Sequence, residues 1–154
     1  MEKTKVTLLL KESYLARIAG AVGTRMFQNL YALVDGERQD ILRRGDLSCA
    51  LFVSTVLVGF HLVKEVHVTV ESTVRDMVSS GWTRIRYPRV GCVVIWRRTE
   101  GARIDRRHIG FYLGRGKATS NNSGKGYPHR HSYLVHRAFR TQLGHSLRYE
   151  NESQ

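Results

Sequence analysis

The segment His108-Ile109-Gly110-Phe111-Tyr112-Leu113-Gly114-Arg115-Gly116-Lys117 reads as a strand that runs into a tight turn and back out. Ile109, Phe111 and Leu113 alternate with His108, Gly110 and Tyr112, which gives the segment one apolar face. Gly114-Arg115-Gly116 supplies the residues a hairpin turn needs, and residues 117–121 start the partner strand. Upstream, residues 90–97 (VGCVVIWR) form a strong apolar strand, followed by a charged loop over 98–107. Trp82-Thr83-Arg84-Ile85 alternates before Pro88 breaks it. Downstream, a polar loop over 122–128 leads to a last, imperfectly alternating strand over 131–139. An antiparallel sheet is therefore expected over about 82–140, with a short polar tail at 149–154.

The first half has a different texture. Leu15, Ile18, Ala19, Val22, Met26, Leu30 and Val34 recur every three or four residues, which predicts a helix over 11–34. Gly20 and Gly23 weaken its centre, and Asp35-Gly36 ends it. A connector of mixed charge (37–44) and the turn Gly45-Asp46-Leu47 lead to Ser48, a good helix N-cap. Cys49 is then the first residue of a nearly all-apolar helix over 49–62. A third helix is expected over 70–80, capped by Thr69 and stopped by Gly81. Helices first and consecutive antiparallel strands afterwards make an α+β plan. The 154 residues fit one domain spanning 1–154, with helices over about 11–80.

The composition narrows the function. The chain has 25 Lys+Arg against 13 Asp+Glu, a formal charge of +12. Residues 1–81 carry 10 basic and 9 acidic residues, whereas residues 82–148 carry 15 basic residues against Glu100 and Asp105. The strand half thus presents a basic face fit for an anionic partner. No apolar run approaches a membrane span or the core of a signal peptide, so the expected location is cytoplasmic, with export by another route left open. Two cysteines 43 positions apart form neither a disulfide framework nor a zinc ribbon.

Cys49 is the candidate nucleophile, because a helix N-terminus favours the thiolate. As a lone cysteine on an apolar helix it also reads as a small core residue, and Cys92 reads as core. A cysteine nucleophile needs a base and a group to orient that base. His108, held at the head of an apolar strand, is the best base. His61 and His67 look like packing or capping residues. His129, His131, His136 and His145 lie in a polar, basic stretch, with His131 the hardest to dismiss. Arg106 and Arg107 precede His108 and would attract a carboxylate-bearing substrate.

Cys49 heading its helix, Gly91-Cys92-Val93-Val94-Ile95-Trp96, and the segment from His108 to Lys117 together resemble the NlpC/P60 cysteine peptidases and their CHAP amidase relatives. The resemblance covers about residues 45–123, and H-I-G-F-Y-L-G is its most specific part. It implies a papain-like fold in which the Cys helix packs on the antiparallel sheet. It also implies amide-bond hydrolysis without a cofactor, in many members on peptidoglycan-type peptides. The chain departs from the family in having Leu47-Ser48-Cys49-Ala50 for D-C-S-G and Cys92 for the strand's Asp. The family's third catalytic position falls at Ser120 in a gap-free match, and a one-residue bulge would bring Asn121 inward instead. Asn121 is the favoured third residue, with Ser120 and His131 as alternatives. The expected substrate is an anionic or cell-wall-type peptide.

Other classes compete with this one. Trp82, Tyr87, Trp96, Tyr112, Tyr127 and Tyr133 interleave with arginine in the basic half, as in single-strand nucleic-acid binders. A metal site built from His129, His131 and His136 lacks a nearby carboxylate. A catalytically inactive recognition domain on the same fold is the third alternative.

Overall fold

The computed structural model describes residues 3–96 and 107–133, and the backbone of three further strands at 135–136, 139–140 and 146–150. The elements run α1 (Leu10–Gly20), β1 (Tyr31–Val34), β2 (Glu37–Asp40), α2 (Cys49–Val58), α3 (Val70–Ser79) and β3 (Thr83–Arg84). They continue with β4 (Val93–Trp96), β5 (His108–Gly114), β6 (Lys117–Asn122) and β7 (Tyr127–Ser132). β8 (Val135–His136), β9 (Phe139–Arg140) and β10 (Ser146–Glu150) follow. The fold is α+β with antiparallel pairing. Its main sheet has the order β3-β10-β4-β5-β6-β7.

α2 packs across β5 and β6, and α1 and α3 flank it. Its apolar run explains this placement: seven of its ten residues are buried, so it can only be a central element. Phe52 lies at the centre, edge-on to Phe111 at 5.5 Å and tilted against Phe27 at 5.2 Å. Val93, Ile95, Ile109 and Phe111 form the sheet face that meets the helices. Trp96, Val94, Cys92 and Ala118 pack on the opposite face. Two long hydrogen bonds tie the helical half to the rest: Tyr14 Oη donates to the Gly91 carbonyl at 2.7 Å, and Trp82 Nε1 to that of Leu62 at 2.8 Å. The loop before α3 is clamped by Asp76, whose carboxylate accepts from the N–H groups of Lys64 and Glu65 and from His67 Nε2 at 2.7 Å.

α2 and α3 begin where predicted, and the Thr69 side chain accepts from Ser72 N–H, but α2 ends at Val58 rather than at 62, with Gly59 as its C-cap and His61 left-handed. The helix expected over 11–34 does not run that far. α1 stops at Gly20, and Met26, Leu30 and Val34 are exposed rather than aligned on a buried stripe. Asp35 (φ 51) and Gly36 (φ 84) are both left-handed, the pair that a type I′ turn requires, so the flanking residues pair as the β1–β2 hairpin. Turn geometry thus overrides a helical periodicity. The expected connector at 37–44 is β2 as far as Asp40.

The sheet differs from expectation in five places. The expected strand over 90–97 begins at Val93, because Cys92 N–H bonds back to Arg89 in a turn, and Arg97 lies outside the described residues. Only Thr83 and Arg84 of the 82–85 run are extended into the sheet. The polar loop at 122–128 shortens to a tight connection, with Pro128 inside β7, an edge strand where its missing N–H does no harm. The expected strand over 131–139 is split among β7, β8 and β9. Finally, residues 146–150 belong to the sheet, between β3 and β4, so the expected tail is partly strand.

Candidate active site at the head of the cysteine helix

The chain reaches α2 through a tightly held loop. The Asp40 carboxylate accepts from the N–H groups of Arg44 (2.9 Å), Leu30 (3.1 Å) and Leu42 (3.2 Å) and from Asn29 Nδ2 (2.8 Å). The Arg44 N–H above all, then those of Leu30 and Leu42 with the Asn29 amide, outweigh the cost of burial and hold Asp40 down to about 2. Arg43 (φ 50), Arg44 (φ 55) and Gly45 (φ 91) are left-handed in succession. At Gly45 the loop crosses the β6–β7 connection so closely that a Cβ there would lie 2.5 Å from Gly126 Cα. Asn121 Nδ2 donates to the Gly45 carbonyl and locks the crossing.

Ser48 occupies the N-cap position, but its hydroxyl makes no capping bond. Ser48 Oγ and Asn121 Oδ1 are buried and have no hydrogen-bond partner among the described residues. Cys49 follows as the first residue of α2. Burial pushes the thiol above its ordinary range, and the nearby main-chain N–H groups of Ile109 and Ala50 do not offset it. The expectation that the helix terminus would populate the thiolate is thereby corrected: desolvation wins, and the free protein holds a thiol. Cys92 lies on the opposite face of the sheet and is 1% exposed.

Ile109, next to His108, faces the helix side where Cys49 packs, whereas strand alternation turns His108 to the Trp96 side. His108 is buried, pairs across the ladder with Trp96, and its ring lies 5.8 Å from the indole. Strand alternation puts His108, Gly110 and Ser120 on one face, because Gly110 and Ser120 are opposite one another. His131 joins them: its Nε2 is 2.7 Å from Ser120 Oγ, and its ring is 5.5 Å from Trp96. His129 stacks on His131 at 4.9 Å, so these two histidines are half-buried rather than surface residues.

Asn121 does not join this group. The ladder irregularity falls between Tyr112 and Gly114, beside the hairpin turn, and leaves Ser120 opposite Gly110. Asn121 therefore stands on the other face, and its amide serves the Gly45 loop. Arg107 is half-buried immediately before β5, whereas Arg106 lies outside the described residues. The same holds for His145 and the side chain of His136. Among the described residues, no group of three His, Cys, Asp or Glu is placed to hold a metal ion.

Sequence reasoning did not single out Trp96, a fully buried core residue against whose indole both histidines lie. Gly110 carried a signal that could have pointed there. A glycine inside a strand marks a close approach, and a Cβ at this position would meet Ser120 Cβ at 2.7 Å and Trp96 Cζ3 at 3.0 Å.

No protein-family model matches the chain, and no curated protein matches it.

Proposed function

We propose that this chain is a cysteine hydrolase of amide or peptide bonds, with a papain-like arrangement of the NlpC/P60 type. One observation carries the reading: Cys49 opens the central helix, which packs on β5, the strand that His108 heads. Two segments 59 positions apart in sequence thus bring a thiol and an imidazole to the same end of β5.

A half-buried cysteine whose thiol is favoured over its thiolate shapes the mechanism. As a substrate carbonyl enters, His108 takes the Sγ proton while sulfur attacks the carbonyl carbon. The main-chain N–H of Cys49, at the start of the helix, faces the developing oxyanion. Collapse breaks the C–N bond, and the imidazolium returns its proton to the leaving amine. Water, deprotonated by His108, then hydrolyses the thioester to a carboxylate and the free thiol. Arg107 and the basic strand half favour substrates that carry a carboxylate, such as acidic or cell-wall-type peptides. The nucleic-acid reading loses support, because Trp82, Trp96 and Tyr133 are buried, and Arg86 already lies over the ring of the exposed Tyr87.

The test is the pH–rate profile for alkylation of Cys49 by iodoacetamide, read by peptide mapping. Cys49 should outpace Cys92, and His108→Ala should slow it about 10- to 100-fold near neutral pH. Identical profiles with and without His108 would overturn the proposal. A Cys49→Ala chain should also fail to cleave acidic peptide amides that the parent cleaves.

A further inference from the structure

Ser72, Arg75, Asp76 and Ser79 recur along α3 at the spacing of three and four residues that aligns side chains on one helix face. Together with Lys64, Glu65 and His67 of the preceding loop they line a cavity of about 480 Å³. None of these residues belongs to the candidate active site. The wall is rigidly built. Asp76 is 8% exposed, and its carboxylate accepts from the N–H groups of Lys64 and Glu65 at 3.1 and 3.0 Å, from Ser80 Oγ at 3.0 Å and from His67 Nε2 at 2.7 Å. An ionised carboxylate can only accept, so Nε2 carries the ring proton. The main chain of His67 is held as well: its N–H donates to Ser54 Oγ at 2.9 Å, which in turn lies 3.0 Å from the His67 carbonyl oxygen. Tautomer and backbone are thus set before any ligand arrives, and Nδ1 is the ring nitrogen left for one.

The other groups of the wall are donors. The Thr69 hydroxyl donates to Ser72 Oγ at 2.9 Å, which leaves the Ser72 proton for a further acceptor. Lys64 and Arg75 are exposed and form no ion pair among the described residues. Glu65 is exposed too, and the clamp on Asp76 uses its main-chain N–H. Donors and cations around a carboxylate that is already satisfied suit an oxyanion. A phosphate monoester fits this set better than a carboxylate does. It has three terminal oxygens for Arg75, Lys64 and Ser72, and its second proton, lost near pH 6, can be shared with Nδ1.

We propose that this cavity is a binding site for a phosphate monoester, with Arg75, Lys64 and the Ser72 hydroxyl donating to the phosphoryl oxygens and His67 Nδ1 sharing a proton with one of them. The site does not rest on the hydrolase reading and stands or falls by itself.

The experiment follows proton–nitrogen NMR spectra of the full chain during titration with inorganic phosphate and with phenyl phosphate, at an ionic strength held constant with chloride. Both probes should shift the amides of residues 64–67 and 72–79 saturably. Phenyl phosphate should bind at least as tightly as phosphate, because the cavity has room beyond the phosphoryl group. Arg75→Ala and Ser72→Ala should each weaken binding about tenfold or more, the effect of one lost hydrogen bond to a charged group. Arg115→Ala removes the same charge at the β5–β6 turn and should stay within about twofold of the parent. Glu65→Gln should tighten binding about two- to threefold by removing a like charge from the wall. Arg75 is exposed, so its variant tests the site without touching the buried clamp. Absence of a saturable shift in about 20 mM phosphate, well above a millimolar Kd, would overturn the proposal. Equal losses in Arg75→Ala and Arg115→Ala would overturn it too, since net charge alone would then attract the anion. Phenyl phosphate binding tenfold weaker than phosphate would refute the monoester assignment.

Discussion

Replacing Gly45 by alanine tests how the cysteine helix is docked. Two costs are involved, and the structure contains a control that separates them. Gly45 and Gly81 share the same backbone angle, φ +91. An added Cβ at Gly81 meets nothing within 4 Å, so Gly81→Ala measures left-handed strain alone, about 1–2 kcal/mol. At Gly45 the same Cβ would lie 2.5 Å from Gly126 Cα and 2.7 Å from its carbonyl carbon. These are backbone atoms and cannot rotate away, so the two segments must part by roughly 1 Å, at a typical overpacking cost of about 1–3 kcal/mol. Gly45→Ala should therefore cost about 2 kcal/mol more than Gly81→Ala, or about 4–8 °C in melting temperature for a chain of this size. Urea and thermal unfolding followed by circular dichroism give both numbers. Equal losses in the two variants would refute the close crossing of the Gly45 and Gly126 loops. The crossing also sets where Cys49 sits, so Gly45→Ala should alter the Cys49 alkylation rate and Gly81→Ala should not.

Two further outcomes follow from the buried polar groups. Against the upward push of burial, the bond from His67, the N–H groups of Lys64 and Glu65 and the Ser80 hydroxyl lower Asp76 from 3.8 to about 2. A lowered carboxylate stabilises the fold above its ordinary value, and that stability goes as pH falls through the folded value. Asp76→Asn should thus cost about 2 kcal/mol at pH 7, with the gap to the parent narrowing between pH 4 and pH 2 in urea titrations. A gap that stays constant with pH would show that Asp76 contributes nothing through its charge. Ser48→Ala removes a buried hydroxyl that has no partner among the described residues. Its unfolding free energy should change by less than about 0.5 kcal/mol or rise, and a loss near 1 kcal/mol would reveal a capping bond after all.

The most legible parts of this chain were those where local chemistry and tertiary packing agree. Cys49–Val58 is apolar all round and preceded by turn residues, so both propensity and burial require a central helix there. The segment from His108 to Asn122 has alternation and a glycine turn in the same register. The 11–34 region failed because its periodicity competes with Asp35-Gly36, whose backbone angles favour a hairpin more strongly than a fraying helix end. β10 was hidden because Ser146–Glu150 has no alternation strong enough to mark a sheet strand, and only pairing with β3 and β4 makes it one. The places of Cys49 and His108 at element starts were readable. That Ser120 rather than Asn121 lies opposite Gly110 was not, because a one-residue difference in register depends on where the ladder irregularity falls.

The position of β10 also bears on how the molecule reaches this state. β4 pairs with β5 on one side, a contact between near neighbours in sequence. On its other side it pairs with β10, where Trp96 lies opposite Ser146, 50 positions later. Until that late segment arrives, Val93-Val94-Ile95-Trp96 presents an open edge of four buried-type residues, the kind of strand that recruits other chains. Loop closure on this scale is slow compared with hairpin formation, so β5, β6 and β7 can assemble while the β4 edge is still uncapped. Trp96 is also the surface on which His108 and His131 lie. Completion of the sheet around Trp96 and protection of the β4 edge are therefore the same event, and both wait for β10.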